Sequence, residues 1–194
     1  MAGKVKVKVK KGIKKGFYEV QAPLISTKIQ LYGGSVEELD GRVIKVDLTK
    51  ALRGKSLELK FKVKAEGKEL KGVPTSVVLG GSYIRRMMRR GIDYVEDSFE
   101  TECRDKIVVV KPFMITRNKV SRAVRKALRE TAKKYLAGHL KTRNAEEILS
   151  EIVTNKLQKD LSMKLKKVYP LALCEIRVFE IGKDVEKKVE KVDK

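Results

Sequence analysis

IVVVKPFMITRNKVSRAVRKALR, residues 107–129, is the stretch on which the fold reading turns. Its first half, Ile107 to Ile115, is rich in β-branched residues and reads as a strand. Its second half, from Ser121, spaces apolar residues at helical intervals, with Ser121 as the N-cap. Seven cations fall in it, Lys111, Arg117, Lys119, Arg122, Arg125, Lys126 and Arg129, and no carboxylate. On the helix, which is expected to run to about Ala137, Val124, Ala127, Leu128, Thr131 and Tyr135 make one face. Arg122, Arg125, Lys126, Arg129 and Lys133 make a broad opposite one. An ordinary solvated face mixes signs to gain i to i+4 pairs, yet Glu130 is the only acid between Ser121 and Ala137. Guanidinium groups pair with phosphate oxygens in a bidentate way. The helix is therefore expected to lie along a sugar–phosphate backbone, and an ordinary solvated face is the plainer alternative.

Outward from this stretch the pattern is first β, then mixed. Leu57, Leu59, Phe61, Val63 and Ala65 alternate with Glu58, Lys60, Lys62 and Lys64, a period of two that puts the apolar set on one face. Glu66-Gly67 signals a turn, and Leu70 to Leu79 reads as the returning strand. Further strands are expected at Arg42–Leu48, Tyr94–Cys103 and Leu171–Phe179. A short helix capped by Ser82 and closed by Gly91 carries Arg85, Arg86, Arg89 and Arg90 around Met87 and Met88, with the methionines expected in the core. Asn144 and Glu147 form a capping-box pattern that opens a third helix. It carries Ile148, Leu149, Ile152, Val153, Leu157, Leu161 and Leu165 and stops before Pro170. The expected fold class is α+β: a mostly antiparallel β-barrel or sandwich of six to seven strands, two longer flanking helices and one short arginine-rich helix.

Three segments are expected along the chain. Residues 1–16 carry seven lysines and no acid. They form a basic arm too poor in apolar area to order alone, with Lys8, Lys10, Lys11, Lys14 and Lys15 as phosphate contacts. Residues 17–181 form a single globular RNA-binding domain, and 182–194 a charged tail. Across 194 residues, 46 Lys and Arg oppose 25 acids for a net charge of +21, which favours a polyanion as partner. No apolar run approaches the roughly 18 residues that span a membrane. Phe17, Tyr18 and Tyr169 follow lysines and are candidates either for core anchors or for stacking on bases.

Little in the sequence supports catalysis. His139 is the only histidine and reads as a helix-terminal residue. Asp93, Glu96, Asp97, Glu100, Glu102 and Asp105 are the dense carboxylate cluster, which a metal-dependent nuclease would need, but salt-bridged sheet surface is the simpler reading. Asp93, Glu96 and Asp97 are also possible ion-pair partners of the nearby arginines. Cys103 and Cys174 are isolated and read as small buried hydrophobes. No catalytic residue, metal site, cofactor or small-molecule substrate is expected.

Five segments in order, FYEVQAP (17–23), LDGRVIKVDLTKAL (39–52), SYIRRMMRRG (82–91), VKPFMITRNKVSRAVRKALR (110–129) and KKVYPLALCEIRVFEI (166–181), resemble the archaeal and eukaryotic small-subunit ribosomal protein S-three-A-e family, also called the eukaryote-type S-one family. The resemblance spans about Phe17 to Ile181. The chain departs from the family pattern at Phe17, where a tryptophan is usual, and at Leu171–Cys174, where the family is more basic. Eukaryotic members look longer at both ends, so an archaeal source is expected. The resemblance implies a non-enzymatic structural constituent of the small ribosomal subunit, cytoplasmic and within the ribosome. It implies a β-barrel-like domain on the platform, near the rRNA 3′ end and the mRNA exit. Its implied partners are small-subunit rRNA, neighbouring platform proteins and mRNA near the exit. The alternative is a free-standing nucleic-acid-binding protein or RNA chaperone.

Overall fold

The alternation at residues 57–65 folds as read, into a strand whose Leu57, Leu59, Phe61 and Val63 are fully buried. A computed structural model describes residues 15–25, 28–67 and 69–184. Most of the basic arm, and residues 185–194 of the tail, lie outside the described residues. Within them are nine strands and five helices. In chain order these are β1 (Gly16–Gln21), β2 (Ile29–Gly33), α1 (Val36–Leu39), β3 (Val43–Asp47), β4 (Leu57–Glu66), β5 (Glu69–Leu79) and α2 (Gly81–Met87). There follow β6 (Tyr94–Glu96), β7 (Phe99–Glu102), β8 (Lys106–Thr116), α3 (Arg122–Leu140), α4 (Ala145–Val153), α5 (Lys156–Leu165) and β9 (Leu171–Asp184).

The chain divides into two compact units. The first comprises residues up to Arg42 together with Val63–Val73. Here β1 pairs antiparallel with β2, from Gly16 opposite Gly33 to Val20 opposite Ile29. It also runs parallel to the start of β5 through Val20–Leu70 and Gln21–Lys71. Ser35 caps α1 by accepting from the Glu38 N–H, while the Glu38 carboxylate accepts from the Gly34 N–H at 2.9 Å. A Cβ on Gly33 would fall 2.8 Å from the Leu39 side chain, so glycine there lets α1 seat Leu39 against the strands.

The second unit holds Val43–Lys62 and the chain from Pro74 onward. Its spine is β8, antiparallel to β9 from Lys106–Asp184 to Thr116–Leu171, and on its other side to β7 and β6. Pro112, Phe113, Met114, Ile115 and Thr116 are all buried, as in a strand covered on both faces. Pro112 sits where the ladder shifts register after Lys111, the bulge position at which a missing N–H is tolerated. The helices bury Leu128, Ala132, Leu136 and Leu140 of α3, Ile148, Leu149 and Ile152 of α4, and Leu157, Leu161 and Leu165 of α5. These stripes meet β6, β7 and β9. Lys55, before β4, is buried with its Nζ 2.6 Å from Glu175 Oε2 on β9 and 2.5 Å from Asn155 Oδ1.

Several expectations are corrected. The hydrogen-bonded path β2-β1-β5-β9-β8-β6, with β3 joined through β4 and β7 through β8, does not return on itself. Among the described residues the sheet is open rather than a closed barrel. Nine strands replace six or seven because β1 and β2 went unread and Tyr94–Cys103 breaks at Asp97-Ser98. The third helix is two, because Asn155 takes the left-handed conformation (φ 60°) that asparagine tolerates. Ile152 and Leu157 are five positions apart, where a continuous stripe keeps three or four. The short helix ends at Met87, so Arg89 and Arg90 lie in the turn that follows, closed by Gly91 at φ 86°. Finally, β9 runs on to Asp184, making strand of residues 182–184, which had read as tail.

Candidate nucleic-acid interface

Strand β8 ends at Thr116, and the chain must turn through Arg117, Asn118 and Lys119 before α3 begins. Asp93 organises that turn from the neighbouring strand's approach. Its carbonyl accepts from the Thr116 N–H and hydroxyl, both at 2.9 Å, and its own N–H donates to Thr116 Oγ1 at 3.1 Å. Its carboxylate accepts from the Val120 N–H at 2.9 Å. The Thr116 hydroxyl also approaches the Asn118 carbonyl at 2.8 Å. Asp93 lies two residues beyond the turn that carries Arg89 and Arg90. The same contacts therefore draw two arginine- and lysine-bearing turns to one end of the β6–β8 pair, where α3 starts. Arg89, Arg90, Arg117 and Lys119 are all exposed.

The helix continues this surface. Ser121 Oγ accepts from the Val124 N–H, and the first turn carries no acid. Cations at a helix N-terminus oppose its dipole, so Arg122 and Arg125 there add to local positive potential and leave it uncompensated. Arg122, Lys126, Arg129 and Lys133, spaced four, three and four apart, form one exposed stripe. Lys126 reaches Glu130 only at 3.9 Å between two exposed side chains, an ion pair worth little in water. Lys133 Nζ stands over the Phe99 ring, 5.7 Å from its centroid.

The structure places the remaining candidates less uniformly. Arg125 is half-buried, not on the exposed face, because the buried stripe of α3 is Leu128, Ala132, Leu136 and Leu140. Val124, Ala127, Thr131 and Tyr135 only flank that stripe. Arg85 is exposed, whereas Arg86 donates to the Gly54 carbonyl at 3.2 Å and stands over the Tyr83 ring. Lys111 is half-buried in a cleft with Glu96, Asp97 and Arg177, away from the α3 stripe and among carboxylates. Lys15 is exposed ahead of β1 in the first unit. Lys8, Lys10, Lys11 and Lys14 fall outside the described residues. Among the described residues, Arg85, Arg89, Arg90, Arg117, Lys119, Arg122 and Arg129 have no carboxylate within ion-pair distance.

One side chain departs from expectation: Met88, read as core, is 42% exposed. Tyr94 on the outer strand β6 is 52% exposed. The helix ends before Met88, which frees it from the face that buries Ile84. The clasp residue itself went unnoticed, since Asp93 read as an ion-pair partner for arginines. The signal was there in Ile92-Asp93 after Gly91, where an aspartate beside a turn accepts backbone N–H groups.

The carboxylates have local structural work. Both Glu96 carboxylate oxygens accept from one Arg177 nitrogen, Nη1, at 2.9 and 3.0 Å, Asp97 accepts from the Ser98 N–H, and Asp105 caps Ala145 by accepting from its N–H at 2.9 Å. No trio of metal-ligating side chains gathers among the described residues. His139 is half-buried beside Glu151, which Arg143 engages. Burial, then the Arg143 charge, lowers the His139 pKa. Burial pushes both thiols, Cys103 and Cys174, up to about 12, which keeps them protonated and unreactive.

Comparison with known proteins gives a family for the chain. The Ribosomal S3Ae family model matches residues 3–185. Among similar curated proteins, a small ribosomal subunit protein eS1 of Nanoarchaeum equitans is 27% identical, over 86% of this chain and 88% of its own length. One from Methanothrix thermoacetophila is 26% identical, over 93% and 90%. One from Methanothermobacter thermautotrophicus is 31% identical, over 50% and 52%.

Proposed function

The chain belongs to the ribosomal S3Ae family, and from that premise we propose that it is a structural constituent of the small ribosomal subunit that binds rRNA on the platform near the mRNA exit. It works in the cytoplasmic ribosome as a component of translation, as an assembled part and not as a catalyst. The observation that carries the reading is the Asp93 clasp. It sets Arg89, Arg90, Arg117 and Lys119 at the start of a helix whose exposed stripe, Arg122, Lys126, Arg129 and Lys133, is nearly free of carboxylates. Rows of fixed cations without counter-charges repel one another in the free protein and are relieved by phosphates.

In this reading residues 1–16 are a basic arm and residues 17–181 carry the RNA-binding body. The phosphate contacts comprise Lys8, Lys10, Lys11, Lys14 and Lys15 of the arm, Arg85, Arg86, Arg89 and Arg90 around α2, and Lys111, Arg117, Lys119, Arg122, Arg125, Lys126 and Arg129. The exposed and unengaged ones are primary; Arg86, exposed but bonded to the Gly54 carbonyl, and the half-buried Lys111 and Arg125 are secondary. Neighbouring platform proteins and mRNA at the exit are the further partners, and no membrane or small-molecule substrate is involved.

The test is fractionation of a source-cell extract on a sucrose gradient after a high-salt wash, followed by mapping of rRNA crosslinks. The protein is expected to travel with small subunits, with crosslinks near the rRNA 3′ end. Recovery at the top of the gradient would instead assign it to the free-standing nucleic-acid-binding proteins.

A further inference from the structure

The two most exposed aromatic rings of the first unit stand side by side. Phe17 on β1 is opposite Tyr32 on β2 in the antiparallel register. They are 73% and 55% exposed, and their ring centroids lie 5.2 Å apart with the planes tilted by 50°. Burial alternates along both strands: Tyr18, Val20, Ile29 and Leu31 turn inward, while Phe17, Glu19, Gln30 and Tyr32 face out. Tyr18 is committed elsewhere, its hydroxyl near the Gly34 carbonyl at 3.4 Å. β2 is the last strand on the hydrogen-bonded path, so no further strand lies beyond Tyr32 among the described residues.

We propose that Phe17 and Tyr32 form a stacking platform for an unpaired nucleobase of an RNA strand whose backbone phosphate is met by Lys15, exposed on the same side of β1 as Phe17. The proposal rests on the RNA-binding reading above but concerns a different surface. Charge selects the occupant. Lys15 is exposed two residues before Phe17, and the chain as a whole carries a net charge of +21, which favours a polyanion. The carboxylate next along the strand, Glu19, is met by Lys28 at 3.4 Å. The apolar patch is confined to two rings and ringed by Gln30, Lys28 and Lys15, too small for the contiguous apolar centre that a protein partner covers. One base needs no more than a ring face beside a positively charged track, and this is how single strands are held without sequence selection.

The chain lacks tryptophan, so Phe17→Trp in the full-length protein places a sole indole reporter on the platform. Its emission is read against three probes: a short single-stranded oligouridine, the same strand with abasic riboses, and an RNA duplex of equal length. Quenching is expected with oligouridine and not with the abasic strand, which has the same phosphates. In parallel, Phe17→Leu with Tyr32→Leu keeps the patch apolar and the hairpin folded but removes the π faces. That pair should lower affinity for oligouridine by roughly 5- to 150-fold, the range for one stacked base, and leave duplex affinity unchanged. Equal quenching by the abasic strand, or wild-type oligouridine affinity in the leucine pair, would overturn the platform while leaving the RNA-binding reading standing. Retained oligouridine affinity with lost retention on small subunits would assign the rings to a protein neighbour and equally overturn it. If the wild-type protein bound neither strand nor duplex, both readings would fall together.

Discussion

Lys55 shows how much one buried charge decides. Its ammonium, Glu175 and Asn155 form a closed group beneath the surface, linking the segment before β4 with β9 and with the α4–α5 junction. Lys55→Ala would strand the Glu175 carboxylate in a dry site, and a loss of about 3–5 kcal/mol in urea unfolding is expected. Lys55→Met together with Glu175→Leu removes both charges, and it should recover most of that loss. Equal losses in the single and double variants would show the pair to be mere packing. His139 makes a pH statement. Its pKa is lowered by burial first and by Arg143 second, so the folded state prefers the neutral ring. The associated stability is present above the ordinary histidine pKa of about 6.5 and is lost as pH falls through the lowered native value. His139→Gln should therefore flatten the acid side of a thermal-stability profile below about pH 6.5. A variant profile parallel to wild type would place the acid sensitivity elsewhere.

Helix α3 was read with the right character but rotated slightly about its axis. The apolar residues that ended up fully buried are Leu128, Ala132, Leu136 and Leu140, and this places Arg125 at the margin while leaving Arg122 and Arg129 fully outside. Charge reversal belongs at the latter two. Arg122→Glu with Arg129→Glu should leave the melting temperature nearly unchanged and reduce the salt slope of RNA binding by about one per lost phosphate contact. Leu128→Ala should cost about 2–5 kcal/mol through a core cavity and leave affinity intact while the protein stays folded. Unfolding on charge reversal, or undiminished affinity, would mean that the two faces are misassigned. The clasp offers a sharper contrast. Asp93→Ala removes a negative charge beside the arginine turns, so charge alone would tighten RNA binding. The loss of the acceptor for the Val120 N–H should instead loosen the turn, lowering both stability and affinity, the first by about 1–3 kcal/mol. Tighter binding by Asp93→Ala in a filter or anisotropy assay would reduce the clasp to incidental structure.

For the molecule as a whole, a net charge of +21 makes salt the governing variable. If about six phosphates are neutralised, log K should fall with log salt at a slope of roughly −4 to −5, and a slope near −1 would mean that most of these cations touch nothing. The class of partner was legible in the sequence because charge excess and the absence of carboxylates along Ile107–Arg129 need no coordinates to count. So were most strands and the α+β class, since periods of two and of about 3.6 are local properties of the chain. Closure of the sheet was not legible. Whether a strand's far edge finds a partner depends on residues distant in sequence, and the continuous burial of Pro112–Thr116 reflects cover on two faces that no window of sequence contains. The break at Asn155 and the split of Tyr94–Cys103 followed the same rule, as one left-handed residue or one turn overrides a favourable pattern on either side. The cations were readable as a set, but their sorting was not. Arg86 went to the Gly54 carbonyl, Lys111 to a cleft of carboxylates, and Arg89 and Arg90 to a turn held beside Arg117 and Lys119. Local periodicity and net charge are written in the chain. Which charges share a surface is decided only when long-range pairing brings their backbones together.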